Sequence, residues 1–81
     1  MKIRFLDPAD EDFKALSPEI RRSFRKQLGY LAENLHHPSL RAKKYNEKKG
    51  VWQARVTRDW RFYFLIRADE YVILIIVPHP K

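Results

Sequence analysis

The chain has 81 residues, a length that fits one domain and leaves no room for wide interior cavities, since a fold this small buries only about 60 to 65% of its unfolded surface. Hydrophobic residues make up 44% and charged residues 33%, which is enough apolar content to build a core and argues against intrinsic disorder. Lys and Arg outnumber Asp and Glu by 17 to 10, so the net charge is +7 and a polyanion is the natural partner class, while the lack of cysteine excludes disulfides and thiolate chemistry.

Met1 to Asp12 alternates charges with single apolar residues, unlike the continuous apolar stretch of a signal peptide. The longest apolar run, Tyr71 to Val77, falls far short of the roughly 20 residues a helix needs to cross a bilayer. The expectation is a cytoplasmic single domain spanning residues 1–81, with no membrane contact.

Lys2-Ile3-Arg4-Phe5-Leu6 alternates polar and apolar residues with Ile3 and Phe5 on one face, the pattern of a short strand. Asp7-Pro8 ends it, with Asp7 placed as the cap of a brief helix, Pro8 in its first position, and Phe13 and Leu16 facing the core. Ser17-Pro18-Glu19 repeats the start signal. Ile20, Phe24, Leu28, Leu31 and Leu35 then follow at helical spacing, which predicts an amphipathic helix of about five turns. Arg21, Arg22, Arg25 and Lys26 occupy its other faces, as a solvated surface or as a docking surface for an acidic partner; periodicity does not decide between them. His36-His37-Pro38 stops the helix, because the residue before a proline is pushed out of helical geometry. The two adjacent histidines lack the spacing of a helical metal pair, so no metal site is expected.

Residues 39–50 read as a basic, polar connection. From Arg41 to Arg61 eight basic residues stand against Glu47 and Asp59, so the excess charge is local. Gly50 introduces three strands, Val51 to Thr57, Arg61 to Arg67 and Tyr71 to Val77. In the first, Trp52, Ala54 and Val56 share a face opposite Gln53, Arg55 and Thr57; in the second, Phe62, Phe64 and Ile66 oppose Arg61, Tyr63 and Leu65. Directly opposed residues share a face, so a two-residue turn at Arg58-Asp59 would set Val56 against Arg61 and mix the faces. A three-residue loop, Arg58-Asp59-Trp60, sets Val56 against Phe62 and Arg55 against Tyr63, and that register is expected. The third strand has no polar alternation and is placed centrally. The helices can cover one face only, so the face of Tyr63 and Leu65 is left for a partner, an RNA or a second copy.

Four stretches carry a resemblance: Pro38-Ser39-Leu40, Lys43-Lys44-Tyr45, the run from Gly50 to Phe64 that includes Arg55-Val56-Thr57-Arg58-Asp59-Trp60-Arg61, and Val77-Pro78-His79. With the element order they make the chain resemble the RelE/ParE superfamily of small bacterial toxins over nearly its whole length. The Arg-x-x-x-Asp-Trp run followed by a His looks most like the YafQ branch. The resemblance implies an α+β fold, β-α-α-β-β-β, with a two-helix hairpin packed on one face of a mainly antiparallel four-stranded sheet. It also implies the toxin of a type II toxin-antitoxin pair, a cofactor-free, metal-independent endoribonuclease that cuts mRNA on the ribosome by 2′-OH attack and is neutralised by a cognate antitoxin protein.

Such chemistry needs a base for the 2′ proton, cations for the charged phosphorane and an acid for the 5′ oxygen. By resemblance the catalytic set is Arg61, His79, Arg55 and Asp59. His79 is the acid or base, since an imidazole can act either way near neutral pH. Arg61 clamps the phosphate with its fork of donors and Arg55 is a second phosphate contact. Asp59 orients His79 or the RNA, or is a turn residue only. Lys43, Lys44, Lys48, Lys49 and Arg58 bind RNA or rRNA backbone. Trp52 reads as core, and Trp60 is open between core and base stacking. The chain carries Gln53 where many RelE-type members carry a basic residue, and it ends at Pro80-Lys81 without the Arg and Tyr of their tail. Two rival readings are a ParE-like inhibitor that binds DNA gyrase without enzymatic activity, and a non-toxic nucleic-acid-binding module.

Overall fold

A computed structural model describes residues 1–79. The chain runs β1 (Lys2–Phe5), α1 (Asp7–Ala15), α2 (Pro18–Glu33), a 3-10 turn (Pro38–Leu40), β2 (Lys43–Asn46), β3 (Val51–Thr57), β4 (Trp60–Arg67) and β5 (Glu70–Pro78). The sheet order is β1-β5-β4-β3-β2, with β1 parallel to β5 and the other pairs antiparallel. The α+β architecture expected from sequence is therefore present, with five strands rather than four. The additional strand is β2, which lies inside the stretch read as a connection. Its side chains are mostly exposed, so pairing to β3 rather than an apolar pattern holds it in place.

Both helices lie on one face. Phe24 of α2 is fully buried with its ring 5.1 Å from Phe62 of β4 and 5.8 Å from Phe5 of β1, and Phe13 of α1 closes the cluster 6.0 Å from Phe5. Burial of each such side chain contributes about 1.5–3 kcal/mol. Ser17 caps α2 as read, its Oγ accepting from the Ile20 amide at 3.3 Å. Asp7 does not cap α1. Leu6 holds that position without a side-chain bond, and Asp7 is the first helical residue, where its charge suits the helix N-terminus. The second helix stops at Glu33, short of Leu35, because Asn34 turns extended and its Oδ1 accepts from the His36 amide at 2.9 Å. His37 then stacks on Tyr30 with 3.8 Å between ring centroids, and its Nδ1 accepts from the Ser39 amide, capping the 3-10 turn.

The hairpin register differs from the expected one. Arg55 faces Arg61, Ala54 faces Phe62 and Gln53 faces Tyr63, while Thr57 faces Trp60 across a two-residue turn, Arg58-Asp59. The mixing of faces that a two-residue turn implied is removed by a bulge at Val56, which inserts one residue and restores parity. Trp60 accordingly opens β4 in ordinary extended geometry and packs against the core. A second bulge at Leu74 explains the missing alternation of β5: Ile73 and Ile76 both reach the core, opposite Phe64 and Phe62. The uncovered face holds three successive cross-strand rows: Arg55-Arg61-Val77, then Lys43-Gln53-Tyr63-Ile75, then Val51-Leu65-Val72.

Candidate phosphate-binding site

The bulge at Val56 sets two arginines directly opposite one another, an arrangement of like charges that destabilises a strand pair by about 0.2–1 kcal/mol. Among the described residues the ion pairs are Arg4 with Glu70 and Lys14 with Asp10, so neither Arg55 nor Arg61 is neutralised by a carboxylate. Arg61 is held by the turn it follows. Its Nη1 donates to the carbonyls of Thr57 at 2.6 Å, Trp60 at 2.9 Å and Arg58 at 3.2 Å. The other edge of the guanidinium, Nε and Nη2, takes no protein partner among the described residues and is free to hold two oxygens of an anion. Burial pushes the Arg61 pKa below its ordinary value, and repulsion from Arg55 and then Arg41 pushes it the same way, against weaker support from Tyr63 and Asp59. The group remains a cation at neutral pH, short of a counter-charge.

Arg41 approaches from the other side of β3. It follows the 3-10 turn in a left-handed conformation, φ 48°, where a residue with a side chain is strained by about 1–2 kcal/mol. That turn is fixed by Gln27, the one buried polar side chain among the described residues. Gln27 Nε2 donates to the carbonyls of Ser39 at 2.9 Å and Arg55 at 2.8 Å, and its Oε1 accepts from Ser39 Oγ at 2.9 Å. One amide thus ties α2, the 3-10 turn and the bulged part of β3 together. The three elements enclose a cleft of about 560 Å³ whose charged lining is Lys26, Arg41, Arg55 and Arg58, with hydroxyls from Ser23, Ser39 and Thr57. Among the described residues no carboxylate lines it. Arg55 Nε is buried and has no hydrogen-bond partner among the described residues.

Asp59 and His79 meet at the same end of the sheet. The His79 amide donates to the Asp59 carbonyl at 2.7 Å, one step beyond the pairing of Trp60 with Pro78. The link is through backbone; among the described residues the Asp59 carboxylate makes no ion pair, and both side chains are exposed. Asp59 also donates its amide to Thr57 Oγ1 at 3.2 Å, which tightens the turn. The structure thus gathers all four residues of the predicted catalytic set around one hairpin.

The basic residues read as RNA contacts do not form one patch. Arg58 is in the turn beside Arg61. Lys43 pairs with Gln53 and shares the uncovered face. Lys44 pairs with Trp52 on the helix side, its Nζ 5.8 Å from the indole centroid. Lys48 and Lys49 sit in the β2–β3 turn at the opposite end of β3, a strand about 20 Å long. Sequence reasoning placed Lys26 on a solvated or docking face of the helix and counted Arg41 in the basic excess without assigning either to this site, and it missed Gln27. Gln27 had a signal, since it falls between Phe24 and Leu31 on the apolar stripe of α2 where a polar residue needs a partner. Among the described residues no group of three His, Cys, Asp or Glu side chains could hold a metal, and no helix is long and apolar enough to cross a membrane.

Two helices over a mixed five-stranded sheet, with the meander carrying the cations, is the layout of a RelE-like toxin domain. The sequence profile of the ParE toxins of type II toxin-antitoxin systems matches residues 3–80, and the chain belongs to that family. Among solved structures it is similar to the YoeB/ParE toxin from Agrobacterium tumefaciens, at 12% identity and TM-score 0.81, covering 99% of this chain and 100% of the other. The YoeB dimer from Staphylococcus aureus gives 16% identity and TM-score 0.82 with 99% and 98% coverage. The RelB-RelE antitoxin-toxin complex from Methanococcus jannaschii gives 14% identity and TM-score 0.76 with 93% and 88% coverage. These likenesses establish the fold. Among curated protein sequences there is no significant match.

Proposed function

We propose that this toxin is an endoribonuclease that cuts mRNA during translation in the cytoplasm, without metal or cofactor, and that a cognate antitoxin neutralises it. The observation that carries the reading is the meeting of Arg55, Arg61 and His79 at one end of the sheet, with no carboxylate among the described residues paired to either arginine. In the reaction a ribose 2′ oxygen bonds to the adjacent phosphorus as its proton leaves. The P–O5′ bond then breaks and the 5′ oxygen takes up a proton. Arg61, with Nε and Nη2 unoccupied, holds the nonbridging oxygens, and Arg55 supplies the second positive charge as they gain charge. His79 carries the proton at one of the two oxygens. Asp59 acts through the turn that binds the His79 backbone. The charge balance of the chain suits an acidic antitoxin segment, and antitoxin complexes among its structural relatives support such a partner.

The test is primer extension on an mRNA translated in a reconstituted system, comparing wild type with Arg61→Ala and His79→Ala. New 5′ ends inside codons with wild type alone support the reading. A second reading, inhibition of DNA gyrase, is favoured by the match to the ParE profile. It predicts no new ends, and loss of supercoiling activity when the toxin is added to gyrase.

A further inference from the structure

The row next to the arginine pair on the uncovered sheet face has a composition of its own. Gln53, Tyr63 and Ile75 lie side by side across β3, β4 and β5, with Lys43 beyond Gln53 on β2. Gln53 Nε2 donates to the Tyr63 hydroxyl at 2.8 Å, which leaves its second amide hydrogen and its carbonyl oxygen unused. Tyr45, carried out of the ladder by the irregularity between Lys44 and Asn46, stands edge-on to Tyr63 with 4.9 Å between centroids. It is 62% exposed, the highest exposure of any large apolar or aromatic side chain among the described residues. Between the two rings and Ile75 runs a groove of about 510 Å³.

Resting on the nuclease reading above, the geometry points to this row as the seat of the base next to the cut phosphate, with Gln53 as the residue that selects it. A step of two residues along a strand is about 6.5–7 Å, so Gln53 and Tyr63 sit one such step from Arg55 and Arg61. A phosphate at the arginines brings its own base over the groove. The base lies against the exposed Tyr45 ring, a contact that tolerates any base. The free donor and acceptor of the Gln53 amide meet its edge, and that pair complements adenine N7 and N6. Single-stranded RNA fits this face better than an apolar protein segment for two reasons. An apolar segment laid along this row would cover the free donor and acceptor of the Gln53 amide without replacing them. The five strands also contain one carboxylate, Glu70, already paired with Arg4, so the free charges on this face, Lys43, Arg55 and Arg61, are all positive.

The experiment titrates the free toxin with 2′-O-methyl RNA pentamers, which cannot be cut, differing only in the central base, and follows the tyrosine ring and arginine side-chain resonances. Wild type should bind central adenine at least about 5-fold more tightly than central uracil. Gln53→Ala should bring the two within about 2-fold, and Gln53→Glu, which can only accept, should shift preference toward cytosine. Tyr45→Ala should weaken all pentamers alike, by about 5-fold or more. A preference unaffected by Gln53→Ala, or tyrosine rings that do not shift, overturns the assignment. If the arginine resonances shift while the tyrosines do not, the nuclease reading survives and only the base seat falls. An acidic peptide that moves Tyr45 and Tyr63 where RNA does not would make this face a protein-docking surface and overturn the proposal.

Discussion

Replacing Gln27 by methionine keeps the length and flexibility of the side chain and removes every polar atom. In the native chain Gln27 is 4% exposed and satisfies two carbonyls and one hydroxyl. Ser39 is exposed, so its carbonyl and hydroxyl regain water and each lost bond costs about 0.5–1.5 kcal/mol. The Arg55 carbonyl lies deeper, and stranding it costs about 1–3 kcal/mol. Burial of a thioether in place of an amide offsets about 1 kcal/mol. The expected net loss is about 2–3 kcal/mol, a fall of roughly 10–20 °C in melting temperature for a domain this small. Urea unfolding should show it as a lower midpoint at unchanged slope. Because the same amide fixes the 3-10 turn that presents Arg41, inorganic phosphate should also protect the variant less than wild type against unfolding. A loss below about 0.5 kcal/mol, or unchanged phosphate protection, would refute the view that one buried amide assembles the cleft.

The opposed arginines predict a trade of stability against function. Arg55→Gln should raise stability by about 0.5 kcal/mol, by removing repulsion across the strand pair, while cleavage falls at least about 10-fold; a simultaneous fall in both would show that Arg55 is structural. Inorganic phosphate at fixed ionic strength should raise the melting temperature more than chloride does, and the difference should vanish in Arg55→Gln. Arg61 titrates below its ordinary value yet stays protonated through the neutral range, and its burial cost is relieved only as pH rises through its folded value. Changing pH between about 6 and about 9 should therefore leave its contribution constant, and phosphate rather than pH should relieve it. In the β4–β5 turn Ala68 holds φ 51°, a conformation glycine adopts without strain, so Ala68→Gly should stabilise by about 0.5–1 kcal/mol in thermal melts; destabilisation would contradict the strain assigned there.

What could be read from the sequence followed from which side-chain patterns are local. The stripe from Ile20 to Leu31, the Ser17 cap and the alternation of β3 and β4 each express one element's own periodicity, and the structure has them as read. The register failed at one residue. A bulge at Val56 leaves no mark in composition, and an even-odd rule applied across it puts Arg55 opposite the wrong partner. The bulge at Leu74 hid the faces of β5 in the same way. Strand β2 was missed because Lys-Lys-Tyr-Asn carries no apolar face and is defined by a neighbour distant in sequence from any pattern of its own. The site was legible only in part. The basic excess from Arg41 to Arg61 and the hairpin carrying Arg61 are visible in the chain, but the approach of Arg41 depends on Gln27, a contact between α2 and two later elements that no local pattern encodes.

The central claim, that RNA is cut by its own 2′-OH, is tested most directly at the chemistry of the cut ends. An mRNA carrying one 2′-deoxy nucleotide immediately 5′ of a mapped cut is translated with the toxin, and the fragments from the unmodified message are analysed for their termini. The account predicts that cutting disappears at the modified position alone, and that the unmodified upstream fragment ends in a 2′,3′-cyclic phosphate or its hydrolysis product, with a 5′-hydroxyl on the downstream fragment. Cutting that persists at the deoxy position, or a 5′-phosphate on the downstream fragment, would mean that water attacks instead and would contradict the account.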